Sequence, residues 1–174
     1  MQNASKIFLI GFMGSGKSTV GRRLASYLKW SFVDLDEKIE KTEGMKIPVI
    51  FSQKGESHFR EIESKALREL EPESHIVIST GGGTPCFSNN MEYMLESGLT
   101  IYLKMTPSNL KRRLIRSSEG RPLLKDIDRR DLEGFIAGKL AEREKWYSRA
   151  EIITDGLNTD LSYLLSLIKK QIIQ

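Results

Sequence analysis

Gly11-Phe12-Met13-Gly14-Ser15-Gly16-Lys17-Ser18 matches the phosphate-binding pattern G-x-x-x-x-G-K-[ST] at every fixed position. Its flanks agree with it. Lys6-Ile7-Phe8-Leu9-Ile10 reads as a short buried strand, and Thr19 to Tyr27 reads as a helix with Val20, Leu24 and Leu28 on one stripe. Strand, glycine loop and helix therefore follow in the order that the motif requires. In such a loop the glycines let successive backbone N–H groups turn inward on phosphate, and the helix N-terminus adds partial positive charge. Gly14, Ser15, Gly16, Lys17, Ser18 and Thr19 are expected to hold a nucleoside triphosphate, with Lys17 on the β/γ oxygens and the Ser18 hydroxyl on Mg²⁺. The competing reading is a Gly-rich strand-to-helix turn with no ligand.

The chain has 174 residues, enough for one buried core and too few for two ordinary domains, so a single domain over 1–174 is expected. With 39% hydrophobic and 29% charged residues the composition is that of a globular protein, and the apolar runs stop well short of a membrane span. The first apolar run leads straight into glycine and the phosphate loop, where a signal peptide would carry a small-residue cleavage site, so it reads as strand one. The single cysteine, Cys86, has no partner for an internal disulfide, which fits a reducing compartment, and a cytoplasmic location is expected. Cys86 reads as a small packed residue rather than a nucleophile, since neither His58 nor His75 is near it in sequence. The net charge of +4 is spread along the chain, which favours a small anionic partner over nucleic acid. A monomer acting on a small-molecule substrate is expected, with neither nucleic acid nor membrane as a partner.

Strand candidates recur at Lys6–Ile10, Ser31–Leu35, Ile76–Thr80, Leu99–Leu103 and Glu151–Thr154, with helical periodicity in every interval. This alternation predicts an α/β fold in which helices cover both faces of a five-stranded parallel sheet. Phe59, Ile62, Ala66, Leu67 and Leu70 form one helical stripe, and Leu161, Leu164, Leu165, Ile168 and Ile172 form another. Thr106-Pro107 supplies an N-cap and first-turn proline, and Gly98 is placed to end the helix before strand four. Ser117 to Lys125 breaks the pattern with Gly120 and Pro122 and reads as a mobile lid.

Four features could carry chemistry. Asp34 and Asp36 lie two residues apart at the end of strand two, on one side, where one carboxylate could serve Mg²⁺ and the other a substrate hydroxyl. Alternatively, Asp36 caps a helix beginning near Glu37 and Asp34 is exposed in the turn. Gly81, Gly82 and Gly83 after strand three allow close approach to backbone, or form a tight turn. Arg60, near a helix start, can be oriented by Glu63 to grip a carboxylate, or the two form a solvated surface pair. Arg143 falls on the apolar stripe Leu132, Ile136, Leu140, Tyr147, so it either meets an anion there or snorkels to the helix edge.

Together these residues resemble the shikimate kinase family: the phosphate loop, Asp34-x-Asp36, Phe59-Arg60-x-x-Glu63, Gly81 to Gly83, Arg121-Pro122-Leu123-Leu124, and Arg143. The likeness spans nearly the whole chain. It implies a three-layer fold like that of nucleoside monophosphate kinases, with a substrate-binding segment at about 36–63 and a lid at about 116–127. The activity it implies is transfer of the γ-phosphoryl group of ATP, with Mg²⁺, to the 3-hydroxyl of shikimate in aromatic amino acid biosynthesis. By the same likeness Asp36 is the base and hydroxyl ligand, Arg60 and Arg143 hold the carboxylate, and Gly81, Gly82 and Gly83 line the substrate. Asp34 and Ser18 serve the metal, and Lys17 and Arg121 act on the transferring phosphoryl, with Arg121 also contacting the nucleotide. The chain departs from the family at Leu114, where an adenine-stacking arginine is usual, with Arg113 and Arg116 as neighbours. It also reads Thr154-Asp155-Gly156-Leu157-Asn158 where an arginine often follows the last strand. Rival readings are a kinase of another small molecule such as gluconate, a nucleoside monophosphate kinase, and a nucleotide-dependent binding module without turnover.

Overall fold

The computed structural model describes residues 5–70, 74–116 and 127–172. Along the chain run β1 (Lys6–Ile10), α1 (Lys17–Leu28), β2 (Ser31–Asp34), α2 (Leu35–Glu43), α3 (Ile47–Arg68) and β3 (Ile76–Ser79). A 3₁₀ turn (Thr84–Cys86) follows, then α4 (Asn90–Ser97), β4 (Leu99–Lys104), α5 (Pro107–Arg116), α6 (Leu132–Tyr147), β5 (Ile152–Asp155) and α7 (Leu161–Ile172). The sheet order is β2-β3-β1-β4-β5 with every pairing parallel, as the alternation of elements required.

Successive side chains of β1 feed opposite cores. Ile7 and Leu9 pack with Val20 and Leu24 of α1 and Leu164 and Ile168 of α7. Phe8 and Ile10 pack with Ile39, Ile50, Leu67 and Tyr147 from α2, α3 and α6. Each of these buried side chains contributes about 1.5–3 kcal/mol, so the strand ends are held firmly. A third cluster of Phe12, Leu110, Leu114, Leu132 and Ile136 joins α5 and α6 beside the phosphate loop. The register sets Asp34, Ser79 and Leu9 in one row, so the segments following β2, β3 and β1 open along the same sheet edge.

Local geometry corrects several sequence expectations. α1 starts at Lys17, two residues earlier than the pattern suggested, because Gly16 takes a left-handed φ of 94° and turns the chain straight into the helix. β2 ends at Asp34, whose side chain accepts from the Asp36 and Glu37 backbone N–H groups and so caps α2. Asp34 and Asp36 therefore share no strand face, and the cap is Asp34 rather than Asp36. Arg60 lies within α3 rather than near its start, although non-helical Gly55 (φ 81°, ψ 170°) divides that helix and places Arg60 early in its second part. Gly98 is extended, with φ −179°, instead of left-handed. Its requirement is space, since a Cβ there would stand 2.6 Å from the Lys6 carbonyl oxygen. Among the described residues no helix is long and apolar enough to cross a membrane.

Candidate active site

The phosphate loop leaves β1 with Gly11, Gly14 and Gly16 all at positive φ. Gly16 supplies no side-chain cap, so the first N–H groups of α1 remain directed at the cleft. Lys17 is buried, and its Nζ donates to the Gly11 and Phe12 carbonyls at 2.9 and 3.0 Å. These features fit a polyphosphate, which needs inward N–H groups and one anchored cation.

At the sheet edge the Ser18 hydroxyl donates to Asp34 Oδ2 at 2.6 Å and stands 3.3 Å from Ser79 Oγ. Asp34 thus divides its oxygens, Oδ1 capping α2 and Oδ2 meeting Ser18. Among the described residues no cluster of three or more His, Cys, Asp or Glu side chains is arranged for a metal. Magnesium bound largely through water and phosphate needs no such cluster, and the Ser18 and Asp34 oxygens suit it.

Asp36 points into the same cleft, which has a volume of about 900 Å³ and runs from the phosphate loop to Arg60 and Arg143. Burial, then the nearby Glu63 and Asp34 carboxylates, push its carboxyl up to about 6, against the opposing pull of Lys17. At neutral pH this carboxylate is ionised yet a good proton acceptor.

Arg60 and Glu63 do not form a solvated pair. Glu63 is 1% exposed, and Arg60 Nη1 donates to its Oε2 at 2.8 Å. On the outer side Arg60 donates to Glu56, and its guanidinium stacks 4.2 Å from the Phe87 ring centroid. Arg143 keeps to the apolar side of α6, 5.3 Å over the ring of Phe12. It does not snorkel: Nη1 is buried and has no hydrogen-bond partner among the described residues. A buried guanidinium nitrogen without a partner is costly unless an anion arrives.

The glycine run joins these groups. A Cβ at Gly81 would stand 2.8 Å from Glu63 Oε1 and 2.9 Å from both Asp36 Oδ1 and Thr84 Oγ1. One at Gly83 would stand 2.7 Å from Arg60 Nη2, and one at Gly82 would stand 3.3 Å from Arg143 Nη1. Gly81 and Gly83 therefore give room first to the protein's own charged side chains, and Gly82 to the Met13 backbone nitrogen at 3.2 Å as well as to Arg143, a more specific reason for three glycines than ligand approach alone.

A family model for shikimate kinase matches residues 13–172. This chain belongs to the shikimate kinase family. It is 47% identical over 149 residues to the shikimate kinase of Azobacteroides pseudotrichonymphae, covering 85% of this chain and 88% of that one. The crystal structure of shikimate kinase from Bacteroides thetaiotaomicron superposes with a TM-score of 0.88 at 35% identity, covering 97% and 98% of the two chains. Shikimate kinase from Acinetobacter baumannii, solved in complex with shikimate, gives 0.87 at 32% identity, covering 98% and 96%.

Within this shikimate kinase framework Arg121 and nearly all of the expected lid lie outside the described residues. Leu114, at the position where the family usually has an arginine, is buried in the α5–α6 core. Its neighbour Arg113 faces the cleft, where Nη1 donates to the Ser15 carbonyl at 3.1 Å and Nη2 to the Leu157 carbonyl at 3.2 Å. Cys86 has its thiol pushed up to about 11 by burial, which suits a packed thiol and not a nucleophile. Three polar groups at the site escaped the sequence analysis. Tyr147, read only as part of an apolar stripe, donates its hydroxyl to the Gly82 carbonyl. Thr84 and Asn90 are fully buried behind Glu63, and no local pattern marks them.

Proposed function

We propose that this protein transfers the γ-phosphoryl group of ATP to the 3-hydroxyl of shikimate. The observation that carries the proposal is the shared cleft: an anion-ready helix N-terminus with buried Lys17 at one end, and two arginines converging on the glycine run at the other. A nucleotide-binding module without turnover has no need of the second half. A gluconate or nucleotide substrate fits it less well than a rigid cyclic acid whose carboxylate lies between Arg60 and Arg143 and whose hydroxyls reach Asp36.

Gly14 to Thr19 hold the triphosphate through backbone N–H groups, with Lys17 neutralising the β/γ oxygens. Bound Mg²⁺ offsets charge on the phosphate oxygens, and Ser18 and Asp34 are the residues to hold it. Asp36 accepts a hydrogen bond from the 3-hydroxyl and takes its proton as the oxygen–phosphorus bond forms. Its burial, and then its Glu63 and Asp34 neighbours, support this role by keeping it basic enough to accept. Gly81 to Gly83 face the substrate, and Arg121, from the lid, stabilises charge on the transferring phosphoryl. The single unpaired Cys86 supports a reducing, cytoplasmic setting, and we infer a monomer, which analytical sedimentation tests.

The deciding assay follows ADP release together with the phosphorylated cyclic-acid product by phosphorus NMR. ADP formation that requires both ATP and shikimate, with a new phosphate monoester, is expected. ADP release that is independent of shikimate would overturn the substrate assignment.

A further inference from the structure

Glu63 raises a problem that Arg60 alone does not solve. Its side chain is 1% exposed, and Oε2 receives Arg60. Its other oxygen, Oε1, crowds Gly81 from one side while Asp36 Oδ1 crowds the same position from another. Two carboxylates converging on one glycine repel, and each buried lone pair left bare carries a desolvation cost.

The donor on that side is Thr84, whose Oγ1 gives a 2.6 Å hydrogen bond to Glu63 Oε1. Thr84 is fully buried in the first residue of the 3₁₀ turn. Its backbone is itself tied down, because Asn90 Nδ2 donates to the Thr84 carbonyl at 3.0 Å. Asn90 is also fully buried, and its Oδ1 accepts from Ser64 Oγ at 3.0 Å and Arg68 Nη1 at 2.7 Å. A continuous polar chain thus runs Arg68, Asn90, Thr84, Glu63, Arg60, leaving α3, crossing the start of α4 and the 3₁₀ turn, and returning to α3.

We propose that Thr84 is a positioning residue for substrate binding: its hydroxyl occupies Glu63 Oε1, so that Glu63 takes Arg60 through Oε2 alone and, with Glu56 on Nε and one side of Nη2, leaves one N–H on each of Nη1 and Nη2 for the substrate carboxylate. Without the hydroxyl, Oε1 turns to the nearest strong donor, which is Arg60. Bidentate pairing then draws the guanidinium into Glu63 and away from the incoming acid. Asn90 acts one step further back, setting the height of the turn that presents Thr84. The inference rests on Arg60 as a carboxylate ligand.

The test is a series at position 84, assayed in the full chain with saturating Mg²⁺. Thr84→Val keeps the shape and removes the donor, Thr84→Ser keeps the donor, and Thr84→Cys supplies a weak one. Thr84→Val is expected to raise the KM for shikimate by roughly tenfold to a hundredfold, the scale of one buried hydrogen bond to a charged group, with the KM for ATP near wild type. Thr84→Ser restores the wild-type KM and Thr84→Cys lies between. With an analogue whose carboxylate is a neutral amide, the penalty in Thr84→Val disappears, because Arg60 no longer reads a charge. A general packing role would move both KM values and would persist with the amide. Either of those results overturns the proposal, as does an unchanged KM for shikimate. Should Thr84→Val fail to fold, the Ser and Cys variants carry the same comparison, and equal KM values for that pair refute it. Absence of turnover in the wild type would instead refute the substrate assignment, which separates the two failures.

Discussion

Replacing Arg143 with alanine separates binding from folding better than any other single change at this site. Arg143 Nη1 is buried without a partner among the described residues, whereas Arg60 is already paired with Glu63 at 2.8 Å and Glu56 at 3.0 Å. Arg60 and Arg143 share the cleft with Glu63 and Asp36, and of the two arginines Arg143 is the one in no ion pair among the described residues, so it is the one left to meet the substrate carboxylate. Truncating one partner of a desolvated charge pair costs about 2–5 kcal/mol, which at about 1.4 kcal/mol per decade is a roughly thirtyfold to few-thousandfold rise in the KM for shikimate. The free protein should hardly notice, because the substitution also removes an unsatisfied buried nitrogen, and stability should stay within about 1 kcal/mol of wild type. Arg60→Ala should behave oppositely in the free protein, losing about 3–5 kcal/mol by leaving Glu63 buried and unpaired. The assay combines steady-state kinetics, an ATP-binding titration and urea unfolding on both variants. Arg143→Ala with wild-type affinity for shikimate, or with equal discrimination against the carboxamide analogue before and after mutation, would refute the clamp.

Lys17→Met should reduce turnover by at least roughly a hundredfold with an unchanged circular dichroism spectrum, and near-normal kcat would contradict the phosphate-loop assignment. In the free protein Asp36 is raised from 3.8 to about 6, so it binds its proton more tightly folded than unfolded; its contribution to stability is greatest below pH 3.8 and is lost as pH climbs through 6. The stability of wild type relative to Asp36→Asn should therefore fall by up to about 3 kcal/mol between acid and neutral pH, and urea titrations giving an equal difference at both ends would refute this. Gly81→Ala places a methyl within 2.9 Å of three buried oxygens, so it should cost about 1–3 kcal/mol of stability and weaken shikimate binding; a variant of wild-type stability and affinity would show that the two carboxylates yield freely. Arg121→Ala should lower kcat by roughly a hundredfold while the dissociation constant for shikimate moves little, and the reverse pattern would remove Arg121 from the phosphoryl group.

Much of this protein is written locally. The phosphate loop is eight consecutive residues whose conformations follow from their own glycines, and the five strands follow from short apolar runs separated by helical stripes. Arg143 was conspicuous for the same reason: a helix repeats every 3.6 residues, so an arginine on an apolar stripe needs no partner chain segment to be noticed. What depended on tertiary structure were choices among polar groups. Asp34 and Asp36 look interchangeable in sequence. The end of β2 against β3 decides that Asp34 caps α2 and meets Ser18, while Asp36 turns toward Glu63. Thr84 and Glu63 are 21 residues apart, and Arg113 and Ser15 are 98 apart. No periodicity reaches across such separations. Hydrogen bonding is directional over about 3 Å, and a polar residue's partner is set by where the packed sheet and helices bring the chain together, whereas apolar burial follows from composition and spacing alone.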